Sequence, residues 1–171
     1  MAALISPDPV STDPVSADPV MPEAGAVEIR ALAPADAAVW RDLYRAYAAF
    51  YAVPMTDDIL GRTWGWLHDT AHPLSGLVAV SGGRVVGFAH YWPQPRPLLG
   101  RDAGFLDDLF VDPSVRGQGV GRRLIAALAD IGRAQGWPLL SWVTAQDNAT
   151  ARRLYDDVAQ AARWVTYEKP L

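Results

Sequence analysis

The sequence predicts an α/β (α+β) domain, a sheet of about six strands flanked by about four helices in the order β-α-α-β-β-β-α-β-α-β. Three observations lead there. Apolar residues switch repeatedly between the two-residue period of strands and the 3.6-residue period of helices. A glycine-rich run, Arg116-Gly117-Gln118-Gly119-Val120-Gly121, joins a strand pattern to an amphipathic helix. At 171 residues and 50% hydrophobic content, the chain has one domain's length and enough apolar surface for one core.

Residues 6–20 carry three copies of a five-residue repeat ending in Asp-Pro-Val. Proline fixes φ, removes a donor and pushes the preceding residue to extended geometry, so residues 1–25 read as a flexible tail and 26–171 as the folded domain. Val27 to Leu32 is a short strand. Ala33-Pro34-Ala35-Asp36 opens a helix running to about Ala52, with Val39, Leu43, Ala46, Tyr47 and Phe50 on one stripe. A second helix spans about Asp57 to His68. Gly76–Val80 and Arg84–Trp92 form a hairpin around Ser81-Gly82-Gly83, and Pro93, Pro95 and Pro97 are expected to stop its second strand. Phe105 to Val111 is the next strand. Val120 to Gln135 is a helix turning Val120, Leu124, Leu128 and Ile131 inward, with Gly136 at its C-terminal cap. Leu139 to Thr144 reads as a buried strand, Ala149 to Ala159 as a helix and Arg163 to Lys169 as a final strand.

Composition excludes several classes of function. Without cysteine there is no disulfide, no cysteine-rich zinc site and no cysteinyl intermediate. A net charge of −4 and a pI near 5.2 argue against nucleic acid and for cationic partners. No apolar run is long enough to span a membrane and the N-terminus lacks a signal-peptide layout, so a cytoplasmic protein with no membrane partner is expected. His68, His72 and His90 lack metal-ligand spacing, and no metal is expected.

The loop Arg116, Gly117, Gln118, Gly119, Val120, Gly121 carries the chemistry. Glycines at alternate positions let a ligand reach bare backbone N–H groups where a helix presents its positive dipole end, and Arg116, Arg122 and Arg123 can add charge-assisted hydrogen bonds. That is a cradle for a pyrophosphate. A Walker loop is excluded because the only lysine is Lys169, and a dinucleotide fingerprint begun at Gly117 needs glycine where Arg122 stands.

The Arg-x-x-Gly-x-Gly element, preceded by Phe105–Pro113 and followed by Asn148-x-x-Ala151-x-x-Leu154-Tyr155, strongly resembles the GNAT superfamily of N-acetyltransferases over about residues 27–171. Phe50-Tyr51, Gly87-Phe88-Ala89-His90-Tyr91 and Trp142-Val143-Thr144 are similar to its branch of histone, polyamine and D-amino-acid acetyltransferases. The resemblance implies a mixed central sheet and acetyl-coenzyme A as cosubstrate. It implies that the backbone of Leu109, Phe110 and Val111 pairs with the pantetheine arm beside a β-bulge, an N–H near Leu109 polarising the thioester carbonyl.

Further roles follow from the same match. Tyr155 corresponds to the general acid: a phenol near pKa 10 can protonate a thiolate of pKa near 8.5 and still be neutral at pH 7. Asn148, seven residues earlier, corresponds to a contact with the pantetheine or acyl region, and the spacing puts both on one helix face about 10 Å apart. Asp107 corresponds to the acid that draws the amine proton through water. Asp107 and Asp108 alternate along a strand and face opposite ways unless a bulge intervenes. Tyr47, Phe50, Tyr51, Trp64 and Trp66 are candidates for the acceptor wall, or for ordinary packing.

The function implied is direct acetyl transfer to a primary amine of a small molecule, a polyamine or amino acid. A protein lysine acetyltransferase and a non-catalytic acyl-coenzyme A sensor are the alternatives. A homodimer is expected from the uncovered edge of the strand Trp164-Val165-Thr166-Tyr167.

Overall fold

A computed structural model of the chain describes residues 27–171, so the repeat tail assigned to 1–25 lies outside the described residues. β1 (Val27–Ala31), β2 (Ser75–Ser81), β3 (Arg84–Arg96) and β4 (Arg101–Val111) pair antiparallel in chain order, and β5 (Leu140–Ser141) adds to β4 in parallel. The result is a mixed five-stranded sheet. α1 (Ala37–Phe50) and α2 (Asp57–His68) cover one face, while α3 (Val120–Ala134) and α4 (Ala149–Val158) lie on the other side.

Strand alternation builds both cores from the same strands. Leu77, Ala79, Val86, Ala89 and Leu106 meet Val120, Leu124, Ile125 and Leu128 of α3. Their alternates Val78, Val85, Phe88 and Phe110 meet Trp40, Leu43 and Leu60 of α1 and α2. Each fully buried leucine of α3 contributes about 1.5–3 kcal/mol. On α1 the buried stripe is Trp40, Leu43 and Ala48, one position round from the expected one, and Phe50 is 55% exposed.

Three sequence expectations need correction. The prolines do not stop β3, which continues to Arg96. β2 ends at Ser75 opposite Tyr91, and from Gly87 onward the odd-numbered residues of β3 turn their backbone groups to the β2 side. The nitrogens of Pro93 and Pro95 therefore face no strand and remove no ladder bond.

The strand expected at 139–144 shrinks to two residues with half-buried side chains. Trp137 packs where a Cβ on Gly104 would lie, 2.5 Å away, and pins β5 to β4 at Gly104 and Phe105 alone. The strand expected at 163–169 is absent, and among the described residues the sheet therefore has five strands where about six were expected. Two-residue β5 offers too short a ladder to hold a partner, and Trp164, Val165 and Tyr167 are 88%, 73% and 89% exposed.

Candidate active site

The bend in β4 organises the site. His90 of β3 opposes Asp108, but the next residue, Tyr91, opposes Leu106, so Asp107 is the extra residue of a β-bulge. The bulge breaks alternation, and Asp107 and Asp108 both line one cavity of about 500 Å³. Tyr44, Tyr47 and Ala48 of α1, then Tyr51, Val53 and Met55, form its aromatic side, and Val143, Thr144 and Ala145 close the side beyond β5. Of the five aromatics expected in the acceptor wall, Tyr47 and Tyr51 line this cavity. Trp64 packs on Trp40, Trp66 stacks on His72, and Phe50 is turned to solvent.

The two carboxylates are electrostatically split. The protein packed around the cavity rim, and then the charge of Asp108, raises Asp107 above the ordinary carboxylate range. For Asp108, burial is the largest effect and pushes upward. The hydrogen bond from His90 and the nearby Tyr47 and Tyr44 hydroxyls outweigh burial and hold Asp108 low. Tyr44 and Tyr47 are raised, by burial first and then by Asp108, so they remain phenols. One group in the cavity is suited to take a proton beside a fixed anion.

Beyond the bulge, β4 has no neighbour on the β5 side, because pairing stops at Phe105. Asp112 donates to Val86 O at 2.8 Å, so by alternation Phe110 and Asp112 are engaged with β3, while the backbone groups of Leu109 and Val111 point into the open gap. The cavity adjoins this gap, lying between Asp107–Asp108 and residues 143–145.

The glycine loop follows. Gly117 and Gly119 adopt φ of 80° and 78°, and a Cβ at either would meet nothing within 4 Å, so a ligand can approach both. Gly119 is the N-cap of α3 without a side-chain cap, and the first bond of the helical ladder runs from Arg123 N to Gly119 O. The N–H groups of Val120, Gly121 and Arg122 precede that ladder and remain for a ligand. Gln118 is exposed between the two glycines. Arg116 folds back, donating from Nε to Val111 O at 3.1 Å with its guanidinium 5.6 Å from the Phe110 ring centre. Arg122 bonds Asp157 at 2.8 Å and ties α3 to α4.

Tyr155 of α4 packs edge-on to Trp142. Burial first, then neighbouring Tyr51, pushes its phenol up to about 12, and Tyr51 links it to the cavity wall. Asn148 caps α4: its Oδ1 accepts from Ala151 N at 3.2 Å and its Nδ2 donates to Thr144 Oγ1 at 3.3 Å. The side chain expected to touch the coenzyme thus holds a helix end and a cavity-wall residue. Sequence reasoning passed over Tyr44 and gave Asp108 no separate role. The i, i+3 spacing of Tyr44 and Tyr47 was the available signal, since it places both on one helix face.

Residues 38–158 match the acetyltransferase (GNAT) family. The chain is 29% identical over 145 residues to the D-amino-acid N-acetyltransferase HPA3 of Saccharomyces cerevisiae, covering 84% of this chain and 90% of that protein. It is 30% identical over 131 residues to the N-acetyltransferase YhfO of Bacillus subtilis, covering 76% and 87%. A crystal structure of the ribosomal-protein-alanine N-acetyltransferase from Brucella melitensis biovar Abortus 2308 superposes with a TM-score of 0.73 at 29% identity, covering 85% of this chain and 99% of that one.

Proposed function

The chain belongs to the acetyltransferase (GNAT) family and is an acetyl-coenzyme A-dependent N-acetyltransferase, and from that premise we propose that its acceptor is a small primary amine held in the cavity of Asp107 and Asp108. The observation that carries this reading is the bulge at Asp107. It brings two carboxylates and a wall of Tyr44, Tyr47 and Tyr51 to one cavity that adjoins the gap beside β4. An ammonium group is attracted to the carboxylates and to the aromatic faces, and an alkyl stem packs against Met55 and Val53. Polyamines and amino acids carry such groups.

Acetyl-coenzyme A supplies an acetyl group activated as a thioester. The residues fit it: the bare Gly117 and Gly119, with the free N–H groups opening α3, receive its pyrophosphate, and the outward backbone of Leu109 and Val111 pairs with its extended arm. The N–H of Leu109 is the donor assigned to the thioester oxygen. Asp107 takes a proton from the ammonium group, directly or through water, while Asp108 stays ionised beside it. The amine nitrogen then forms the C–N bond as the C–S bond breaks, the Tyr155 hydroxyl hydrogen-bonds the departing sulfur, and the nitrogen's second proton passes through solvent to that sulfur. Asp107 returns its proton to solvent afterwards, leaving the amide, the free thiol and one released proton.

The assay is thiol release from acetyl-coenzyme A over a panel of small amines. Release with spermidine or a free amino acid supports the reading, and release with none of them overturns it.

The inferred partner is a second copy of the chain. The exposed Trp164, Val165 and Tyr167 form an apolar C-terminal segment, and this segment of one copy packs against the same segment of another. No described helix is long and apolar enough to cross a membrane. A cytoplasmic site of action belongs to the same proposal, and cell fractionation tests it.

A further inference from the structure

His90 lies behind Asp108 and does not itself line the acceptor cavity. Its side chain is 1% exposed and packed among Trp40, Tyr44 and Phe88. Trp40 Nε1 lies 2.9 Å from His90 Nε2, and His90 Nδ1 lies 2.8 Å from Asp108 Oδ2. An indole N–H can only donate. His90 Nε2 must therefore present its lone pair to Trp40, and the ring proton is assigned to Nδ1, where it is donated to Asp108. A fully buried tryptophan in α1 thereby selects the tautomer of a histidine in β3, which in turn orients a carboxylate in β4.

We propose that His90 is a positioning residue whose Trp40-selected Nδ1–H holds Asp108 as the fixed anion of the acceptor cavity. The proposal rests on the reading that this cavity takes the amine. Asp108 is mostly enclosed, with 18% of its side chain exposed, and a carboxylate so placed stays ionised and oriented only if donors replace its lost water. The groups facing it are His90 from β3, the Tyr44 and Tyr47 hydroxyls from α1, and Asp107 beside it on the bulge. His90 alone among these makes a short, geometrically defined bond to it. Losing that bond lets Asp108 rotate or take a proton, and the cavity then holds its cation less well.

Two amide substitutions separate this role from packing. The amide of His90→Asn can replace Nδ1–H toward Asp108 but leaves Trp40 without an acceptor. That of His90→Gln can accept from Trp40 but offers Asp108 no donor in the same place. With spermidine as the probe amine, His90→Gln should keep its melting temperature and its KM for acetyl-coenzyme A while kcat/KM for spermidine falls roughly ten- to a hundredfold. His90→Asn should melt lower yet retain kcat/KM within roughly threefold.

Asp108→Asn, measured alongside, keeps the two ideas distinguishable. If it is impaired and His90→Gln is not, His90 is ordinary core and the proposal fails while the cavity reading stands. If neither is impaired, or the wild type acetylates neither spermidine nor any free amino acid, the cavity reading fails and takes the proposal with it. Nitrogen NMR of the wild-type imidazole needs no variant: it should show the proton on Nδ1, and an Nε2–H or doubly protonated ring at neutral pH overturns the assignment.

Discussion

Replacing Tyr155 by phenylalanine keeps the ring against Trp142 and removes one hydroxyl, so it isolates the proton from the packing. The structure changes the size expected of that proton's effect. A phenol near pKa 10 lies within about 1.5 units of a thiol near 8.5, but Tyr155 is pushed up to about 12. Full proton transfer to a departing thiolate is then uphill by about 3.5 units, or about 5 kcal/mol. Complete transfer ahead of bond breaking is disfavoured by that margin, and the hydroxyl acts as a hydrogen-bond donor to developing negative charge on sulfur. Such a bond contributes about 1.5–3 kcal/mol. That corresponds to a fall in kcat of roughly ten- to a hundredfold, with little change in coenzyme affinity. The sign with pH is also set: a phenol is in its acid form below its pKa, so raising the pKa keeps Tyr155 protonated throughout the working range. Thiol release should show no loss attributable to Tyr155 up to about pH 10 in the wild type. Equal kcat for wild type and Tyr155→Phe from pH 6 to 10 would refute the reasoning and leave Tyr155 as a packing residue.

Gly119→Val places a β-branched residue at φ 78° and a side chain in the open approach to the α3 N-terminus; folding should weaken by about 1–2 kcal/mol, and calorimetry should find coenzyme affinity reduced at least roughly tenfold. Unchanged affinity would move the pyrophosphate elsewhere. Asp107 must lose its proton to act, and its pKa is raised by the protein packed around it and then by Asp108. The low-pH limb of kcat/KM for the amine should therefore lie above the ordinary carboxylate value of about 3.9, rise with pH, and vanish in Asp107→Asn. A limb that survives the substitution belongs to another group. Trp164→Ser with Tyr167→Ser should leave the fold intact and convert a dimer to a monomer in light scattering; a wild-type monomer at micromolar concentration rejects the assembly.

The layered fold was legible because its signals are local. Periodicity located α2 and α3, and paired glycines at 82 and 83 located the β2–β3 turn, where φ of 56° and 77° suits them. What failed depended on partners distant in sequence. The passage of β3 through its prolines depends on where β2 ends, and the length of β5 depends on Trp137 occupying the space above Gly104. The alternating residues at 163–169 encode a strand that lacks a ladder to join. At the site, the conformation of the glycine loop could be read from spacing alone, because the positive φ of Gly117 and Gly119 belongs to consecutive local residues. Asp107 and Asp108 could not be placed on one face from sequence, since one extra residue against β3 decides it. Tyr44, Trp40 and His90 join the site through contacts across α1 and β3 that no single stretch of sequence displays.

The central claim, a small cationic amine acetylated in the Asp107–Asp108 cavity, is tested most directly by kcat/KM. Spermidine, D- and L-amino acids and a lysine-bearing peptide should be compared in one buffer at one salt concentration. The account predicts that a small amine exceeds the peptide by at least roughly tenfold and that Asp107→Asn removes most of that preference. A peptide preferred by the same margin would contradict it.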